Sequence, residues 1–129
     1  MAPAPPDAGA RPDAWCVVPV YNNAATVAEV VRACRARMAN VLVVDDGSTD
    51  TDIAALLAGQ DVRVERHPRN LGKGCALLTG LAFVAARGAR HMVTIDADGQ
   101  HDPADLPAML AAAGISADDL WCLPPWGRA

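Results

Sequence analysis

The chain has 129 residues, 11 lysines and arginines against 15 aspartates and glutamates, and a net charge of −4. This charge argues against a general nucleic-acid binder, and no apolar stretch approaches the roughly 20 residues that cross a bilayer. The length suits one domain with a single core. Residues 1–13 are rich in alanine and proline, lack the basic start and apolar centre of a secretory signal, and are predicted to be a disordered leader. The four cysteines are widely spaced, which favours reduced, mostly buried thiols in a cytosolic protein over zinc ligands or disulfides.

Short apolar runs alternate with segments of helical periodicity along the chain. The predicted strands are 15–20, 41–44, 62–66 and 92–95, and the predicted helices are 24–38, 51–57, 75–87 and 103–113. The first, second and fourth strands are continuously apolar, as buried parallel strands are, while the third alternates and is expected to be less buried. The pattern therefore predicts an α/β fold with a mainly parallel sheet flanked by helices on both faces.

Polar clusters follow the predicted strands, and in such sheets ligands bind beyond the carboxyl ends of the strands. The clusters are Tyr21–Asn23, Asp45–Asp50, Arg69–Gly74 and Asp96–His101. All candidate chemistry is thus expected along one edge of the sheet.

Asp96 and Asp98 stand two residues apart at the end of the fourth strand. In an extended chain, residues two apart point to the same side, so both carboxylates could hold Mg²⁺ or Mn²⁺ that bridges a substrate diphosphate. The alternative is a polar turn whose carboxylates cap the next helix. The three histidines, His67, His91 and His101, show no regular spacing. Only His101, which is close to this pair in sequence, is a candidate site residue.

The Asp45–Asp46–Gly47–Ser48 stretch has two interpretations. In one, Gly47 forms a tight turn at positive φ, and Ser48 or Thr49 caps the next helix. In the other, which we favour, a carboxylate faces the crevice and accepts hydrogen bonds from a base or ribose, with Asp46 the preferred contact.

Arg69 and Lys73 lie in a glycine-containing loop before a predicted helix, where anions are stabilised. The loop lacks the spacing of a Walker A motif. The loop could therefore bind phosphate, or it could simply connect the preceding strand to the helix.

Taken together, these segments resemble the family 2 glycosyltransferases with the GT-A fold, and within them the dolichol- or polyprenyl-phosphate sugar transferases. The resemblance covers about residues 15–113, and four motifs carry it in the right order and spacing. The matching segments are Val17–Asn22, Val43–Asp50, Arg69–Ala76 and Asp96–His101.

The resemblance implies that Pro19, Tyr21 and Asp46 line a nucleotide pocket. It also implies that Asp96, Asp98 and Gln100 hold the metal and the diphosphate of a nucleotide sugar. Asn23 stands where the family often has an acid, which bears on nucleotide preference, because an amide can still hydrogen-bond a ribose or base.

The implied reaction transfers a sugar from a nucleoside diphosphate sugar, with Mg²⁺ or Mn²⁺, to a lipid-phosphate or glycan acceptor. We expect a truncated, Rossmann-like nucleotide-binding half of the GT-A fold at 14–115 and an irregular tail at 116–129. The catalytic base is then expected in a further region, and its identity is unknown. Cytoplasmic location is expected, with peripheral association at the inner face of the membrane left open.

Two other functions were weighed. One is a non-catalytic fragment that binds a nucleotide sugar but lacks the acceptor half. The other is a receiver-like signalling domain, which also holds Mg²⁺ between acids at strand ends. The receiver-like domain is disfavoured because it needs a lysine at a later strand end, and no lysine follows Asp98.

Overall fold

The computed structural model describes residues 14–100, where strands and helices alternate. The elements are β1 (Ala14–Val20), α1 (Val27–Arg35), β2 (Val41–Asp45), α2 (Ile53–Leu56), β3 (Arg63–Arg66), α3 (Lys73–Ala86) and β4 (His91–Thr94). The predicted leader, His101, the predicted helix at 103–113 and the predicted tail all lie outside the described residues.

The four strands of residues 14–100 form one sheet in the order β3-β2-β1-β4, and every pairing is parallel. On β1, Val17 lies between Leu42 of β2 and Thr94 of β4. β3 is an edge strand and is only partly buried, which accounts for its alternating sequence. The predicted parallel α/β fold is confirmed.

Apolar side chains pack on both faces of the sheet. On one face, Val18 and Val43 join a cluster that includes residues of α1 and α2. On the other face, Val17 and Leu42 pack against Ala76 and Val84 of α3. Because successive residues of a strand point to opposite faces, β1 and β2 each supply apolar side chains to both faces of the sheet.

Helix boundaries and one cap differ from the prediction. α1 begins at Val27, later than predicted, because the preceding residues form a loop. α3 begins two residues earlier than predicted and has Gly72 as its N-cap, at φ 99°. The cap of α2 is Asp52, whose side chain accepts a hydrogen bond from the backbone N–H of Ala55; the prediction of Ser48 or Thr49 as this cap is wrong.

The cysteines of residues 14–100 occupy two environments. Cys16 and Cys34 are buried. The pKa of Cys16 is raised well above its usual value. The causes are a hydrogen bond with Cys34, burial, and electrostatic repulsion by the same Cys34 side chain. Cys75 is exposed in the first turn of α3, so two of the three thiols described are buried.

Over the described part of the chain, no helix combines the length and the apolarity that crossing a membrane requires.

Candidate functional site

The loops after all four strands surround a cavity of about 350 Å³ at the carboxyl edge of the sheet. Side chains and backbone from each loop line it. The lining residues are Pro19, Val20, Tyr21, Asn23, Asp46, Asn70, Gly72, Lys73, Ala76, Asp96, Ala97 and Asp98.

The cavity brings together all the site residues predicted from sequence within this region, except Arg69 and Gln100. Arg69 lies in the loop before α3 and Gln100 follows β4, and neither lines the cavity. Asn70, which was not predicted from sequence, lines the cavity in place of Arg69. The individual roles assigned from sequence stay predictions.

Hydrogen bonds tie the loops to each other across the edge of the sheet. Asn22 has a φ of 54°, a backbone conformation that asparagine adopts more readily than most residues. Its N–H donates to Ser48 Oγ at 3.1 Å, and its Oδ1 accepts from the N–H of Thr49 at 2.8 Å. Thr26 Oγ1 donates to the carbonyl oxygen of Ala97. The loops after β1, β2 and β4 are therefore held in one arrangement.

Asp46 is 3 % exposed, and its carboxylate accepts four hydrogen bonds from the chain. One oxygen accepts from His67 Nδ1 at 2.7 Å and from the N–H of Leu71 at 2.9 Å. The other oxygen accepts from Asn70 Nδ2 at 2.9 Å and from the N–H of Gly72 at 3.0 Å. A carboxylate has about four acceptor positions, so direct contact between Asp46 and a ligand would have to replace one of these bonds.

These contacts also determine how Asp46 titrates. Burial alone would raise the pKa of its carboxyl group. This effect is outweighed, and the pKa of Asp46 lies below its usual value. The lowering comes from hydrogen bonds donated by His67 and by the N–H groups of Leu71 and Gly72, and from the electrostatic attraction of His67. Asp46 is therefore charged at neutral pH and holds the loop that precedes α3.

His67 is a site-adjacent residue that the sequence analysis missed. It directly follows β3, is 7 % exposed, and places Nε2 2.7 Å from Thr79 Oγ1 on α3. Its position directly after a predicted strand, which it shares with the acidic clusters, is the sequence feature that points to it.

Gly47 allows the loops after β2 and β3 to approach each other closely. Its φ is 78°, which confirms the predicted positive φ. A Cβ at this position would lie 2.3 Å from the carbonyl carbon of Arg69 and 2.5 Å from the nitrogen of Asn70. Both neighbours are backbone atoms, so only glycine fits without displacing the loop.

Lys73 and Asp96 face each other in the cavity with Nζ 2.5 Å from Oδ1. Lys73 is the first residue of α3, where the helix end is already positive, and the carboxylate of Asp96 offsets both charges. The Lys73 side chain is 44 % exposed and that of Asp96 is 18 % exposed, so the pair remains in contact with solvent.

Asp98 lines the same cavity as Asp96, and its Oδ1 accepts a hydrogen bond from the N–H of Gln100 at 2.9 Å. Among residues 14–100, no group of three or more His, Cys, Asp or Glu side chains is arranged to hold a metal ion. Mg²⁺ is commonly held by only one or two carboxylates, with water and substrate phosphates completing its shell. The donor set of Asp96 and Asp98 fits that manner of binding.

Comparison with known proteins identifies the family. Residues 15–126 match the model of glycosyl transferase family 2. The chain belongs to this family. The resemblance seen in the sequence motifs is thereby confirmed.

Two curated relatives of this family 2 chain are named after polyprenyl-phosphate products. It is 35 % identical over 111 residues to a polyprenol monophosphomannose synthase of Mycolicibacterium smegmatis, covering 79 % of this chain and 41 % of the relative. It is 34 % identical over 106 residues to a dodecaprenyl-phosphate galacturonate synthase of Rhizobium johnstonii, covering 74 % of this chain and 30 % of the relative. The match thus spans 41 % and 30 % of the length of these two relatives.

A solved structure supports the fold of this family 2 chain. A mycobacterial protein known from a crystal structure superposes with a TM-score of 0.59 at 22 % identity. The match covers 82 % of this chain and 38 % of that protein. At this identity the match bears on the fold alone.

Proposed function

We propose that this family 2 chain binds a nucleoside diphosphate sugar together with Mg²⁺ or Mn²⁺ in the carboxyl-edge cavity. It would thereby serve as the donor-binding part of a glycosyltransferase. The proposal rests on one observation: Lys73, Asp96 and Asp98 line the same cavity at the edge of a parallel sheet.

The diphosphate would lie where α3 begins. Lys73 and the backbone N–H groups of the first turn of α3 attract anions. Asp96 and Asp98 would repel a diphosphate by themselves, so they would hold a divalent cation that offsets part of the negative charge in the cavity. Such a cation would stabilise the negative charge that develops on the departing nucleoside diphosphate.

With a diphosphate bound, Lys73 would contact a phosphate oxygen in place of Asp96. Asp96 would then help Asp98 to hold the cation. Both side chains are partly exposed, which leaves them room to change partners.

The nucleoside would occupy the part of the cavity formed by the loop after β1. Tyr21 is 44 % exposed there, which leaves its ring available for stacking on a base. Pro19 contributes an apolar wall, and the amide of Asn23 can donate to or accept from a ribose hydroxyl or a base edge. Asp46 contributes to this part of the site by direct contact, by holding the adjacent loop, or by both.

The acceptor we propose is a polyprenyl phosphate, with a glycan as the alternative. The support is the naming of two relatives after polyprenyl-phosphate products. A lipid acceptor would bring the protein to a membrane surface, which we propose is the cytoplasmic face. Co-sedimentation of the chain with vesicles containing polyprenyl phosphate, compared with vesicles lacking it, tests this part of the proposal.

A second function applies to the 129 residues taken alone: binding of the donor without transfer. The observation that favours it is the extent of the match, which covers 30–41 % of the two relatives described. Transfer needs donor and acceptor positioned together, and that positioning can supply roughly 7–11 kcal/mol of the barrier.

Calorimetric titration with GDP and UDP, each with and without Mn²⁺, tests donor binding. We expect Mn²⁺-dependent binding of at least one nucleotide, and Asp98→Asn should weaken it by about tenfold or more, because a charged ligand of the cation is lost. Asp61→Asn is the matched control, since Asp61 is almost fully exposed and lies outside the cavity. Binding that is unaffected by both Mn²⁺ and Asp98→Asn would contradict the proposed site.

A transfer assay separates the two functions. The chain is incubated with GDP-mannose or a UDP-sugar, Mn²⁺ and polyprenyl phosphate. Turnover within the common enzyme range of about 1–10³ s⁻¹ would support complete catalysis by these 129 residues. Donor binding without turnover would support the donor-binding role.

A further inference from the structure

We infer that His67 is a positioning residue for donor binding: it orients Asp46, which holds the loop at residues 69–72 and so places Lys73 in the cavity. The inference rests on the proposed function for its consequence in binding. Its structural part stands on the hydrogen bonds of His67 and Asp46.

His67 has a defined partner on each ring nitrogen. Nδ1 is 2.7 Å from Asp46 Oδ1, and Nε2 is 2.7 Å from Thr79 Oγ1. Since the ionised Asp46 carboxylate only accepts, Nδ1 carries the hydrogen between them. Thr79 lies on α3, so the imidazole ring joins the end of β2 to the helix that begins at the cavity.

The other hydrogen bonds of the Asp46 carboxylate hold the start of α3. Its carboxylate accepts from the N–H groups of Leu71 and Gly72, and Gly72 is the N-cap of α3. Lys73 follows directly. Rotation of the Asp46 carboxylate would therefore break the contacts that fix the backbone immediately before Lys73.

The geometry explains why a histidine performs this task. Bridging Asp46 and Thr79 needs two polar atoms held rigidly on opposite sides of a small ring, in a space that is almost closed to solvent. Asparagine can place a nitrogen near the position of Nδ1, and glutamine can place one near the position of Nε2. Neither provides both. The two substitutions thus separate the bond to Asp46 from the bond to Thr79.

The first measurement is amide hydrogen exchange in the 129-residue chain, which needs no ligand. His67→Ala and His67→Gln should speed exchange of the Leu71 and Gly72 amides by about tenfold or more, relative to the amide of Val43 in the sheet. His67→Asn should restore much of the protection, because it can still donate to Asp46. If His67→Ala and His67→Gln leave these two amides as protected as in the wild type, the inference is overturned.

The second measurement is binding of the probe found to bind the wild type, GDP or UDP with Mn²⁺. His67→Ala and His67→Gln should weaken binding by roughly tenfold, and His67→Asn should weaken it much less. Val31→Ala is the control for general destabilisation, since Val31 is fully buried in the cluster around α1. A merely structural role for His67 predicts that all variants lose affinity in step with their loss of stability, and that result would overturn the inference.

A double-mutant cycle tests whether His67 acts through Lys73. In a Lys73→Ala background, adding His67→Ala should change affinity by less than about twofold, because the group that it positions is gone. Independent, additive losses would contradict the inference. If the wild type binds neither nucleotide, the proposed function fails, and the loop-holding role is decided by the exchange of the Leu71 and Gly72 amides.

Discussion

Replacing Gly47 with alanine tests how closely the loops after β2 and β3 are packed. Two separate costs are expected. Gly47 has a φ of 78°, where a residue with a Cβ loses about 1–2 kcal/mol. The new Cβ would also lie 2.3–2.8 Å from backbone atoms of Arg69 and Asn70, and relieving such overpacking costs about 1–3 kcal/mol.

The sum is about 2–5 kcal/mol, a large part of the 5–15 kcal/mol that stabilises a typical domain. The loop can relieve the clash only by moving away from Asp46, which weakens the hydrogen bonds from Leu71 and Gly72. Gly47→Ala should therefore combine a lower free energy of unfolding, measured by urea denaturation, with faster amide exchange at these two residues.

Two other glycines provide matched controls. Gly88 also has a positive φ, 83°, but nothing lies within 4 Å of a Cβ there, so Gly88→Ala should show the backbone cost alone. Gly59 has neither a positive φ nor a neighbour within 4 Å, and Gly59→Ala should be neutral or slightly stabilising. If Gly47→Ala costs no more than Gly88→Ala, within about 0.5 kcal/mol, the close approach of the two loops is refuted.

Three further predictions concern acid stability, thiol reactivity and helix packing. The pKa of Asp46 is lowered on folding. Its contribution to the free energy of unfolding is therefore present above the unfolded pKa of about 3.9 and is lost as the pH falls through the lower folded pKa. Asp46→Asn should flatten the decline in stability measured between about pH 5 and pH 3, and an unchanged slope would contradict this. Under native conditions iodoacetamide should modify exposed Cys75 much faster than buried Cys16. Peptide mass spectrometry measures the two rates, and equal rates would show that the core around Cys16 opens readily. A Cβ at Gly80 would lie 2.7 Å from Val17 Cγ1. Gly80→Ala should therefore lower the free energy of unfolding, measured by urea denaturation, by about 1–3 kcal/mol. Combining it with Val17→Ala should cost less than the sum of the two single changes, and additive losses would place Gly80 away from the sheet.

The sequence by itself determined the order of strands and helices, the parallel sheet and the edge at which the polar clusters meet. The reason is that each of these depends on local periodicity. Continuous apolar runs such as 41–44 identify strands buried on both faces, and parallel strands bring the loops that follow them to the same edge. The family could be recognised from the same segments, because its motifs are short and contiguous.

The tertiary structure decided which side chains meet within that edge. Asp46 and His67 are 21 residues apart in sequence, and Lys73 and Asp96 are 23 apart, yet each pair is in direct contact. From sequence, Asp46 was expected to contact the ligand and His67 was not expected in the site, because no local pattern shows that an acid already has four partners from its own chain.

Arg69 and Asn70 show the same limit at the scale of neighbouring residues. The charge of Arg69 favoured it as the residue in the site. The loop approaches Gly47 closely, however, and Asn70 lines the cavity while Arg69 does not. Which side chain of a loop points inward depends on backbone contacts with a distant segment. Those contacts exist only once the sheet has assembled and brought the loops after β2 and β3 together.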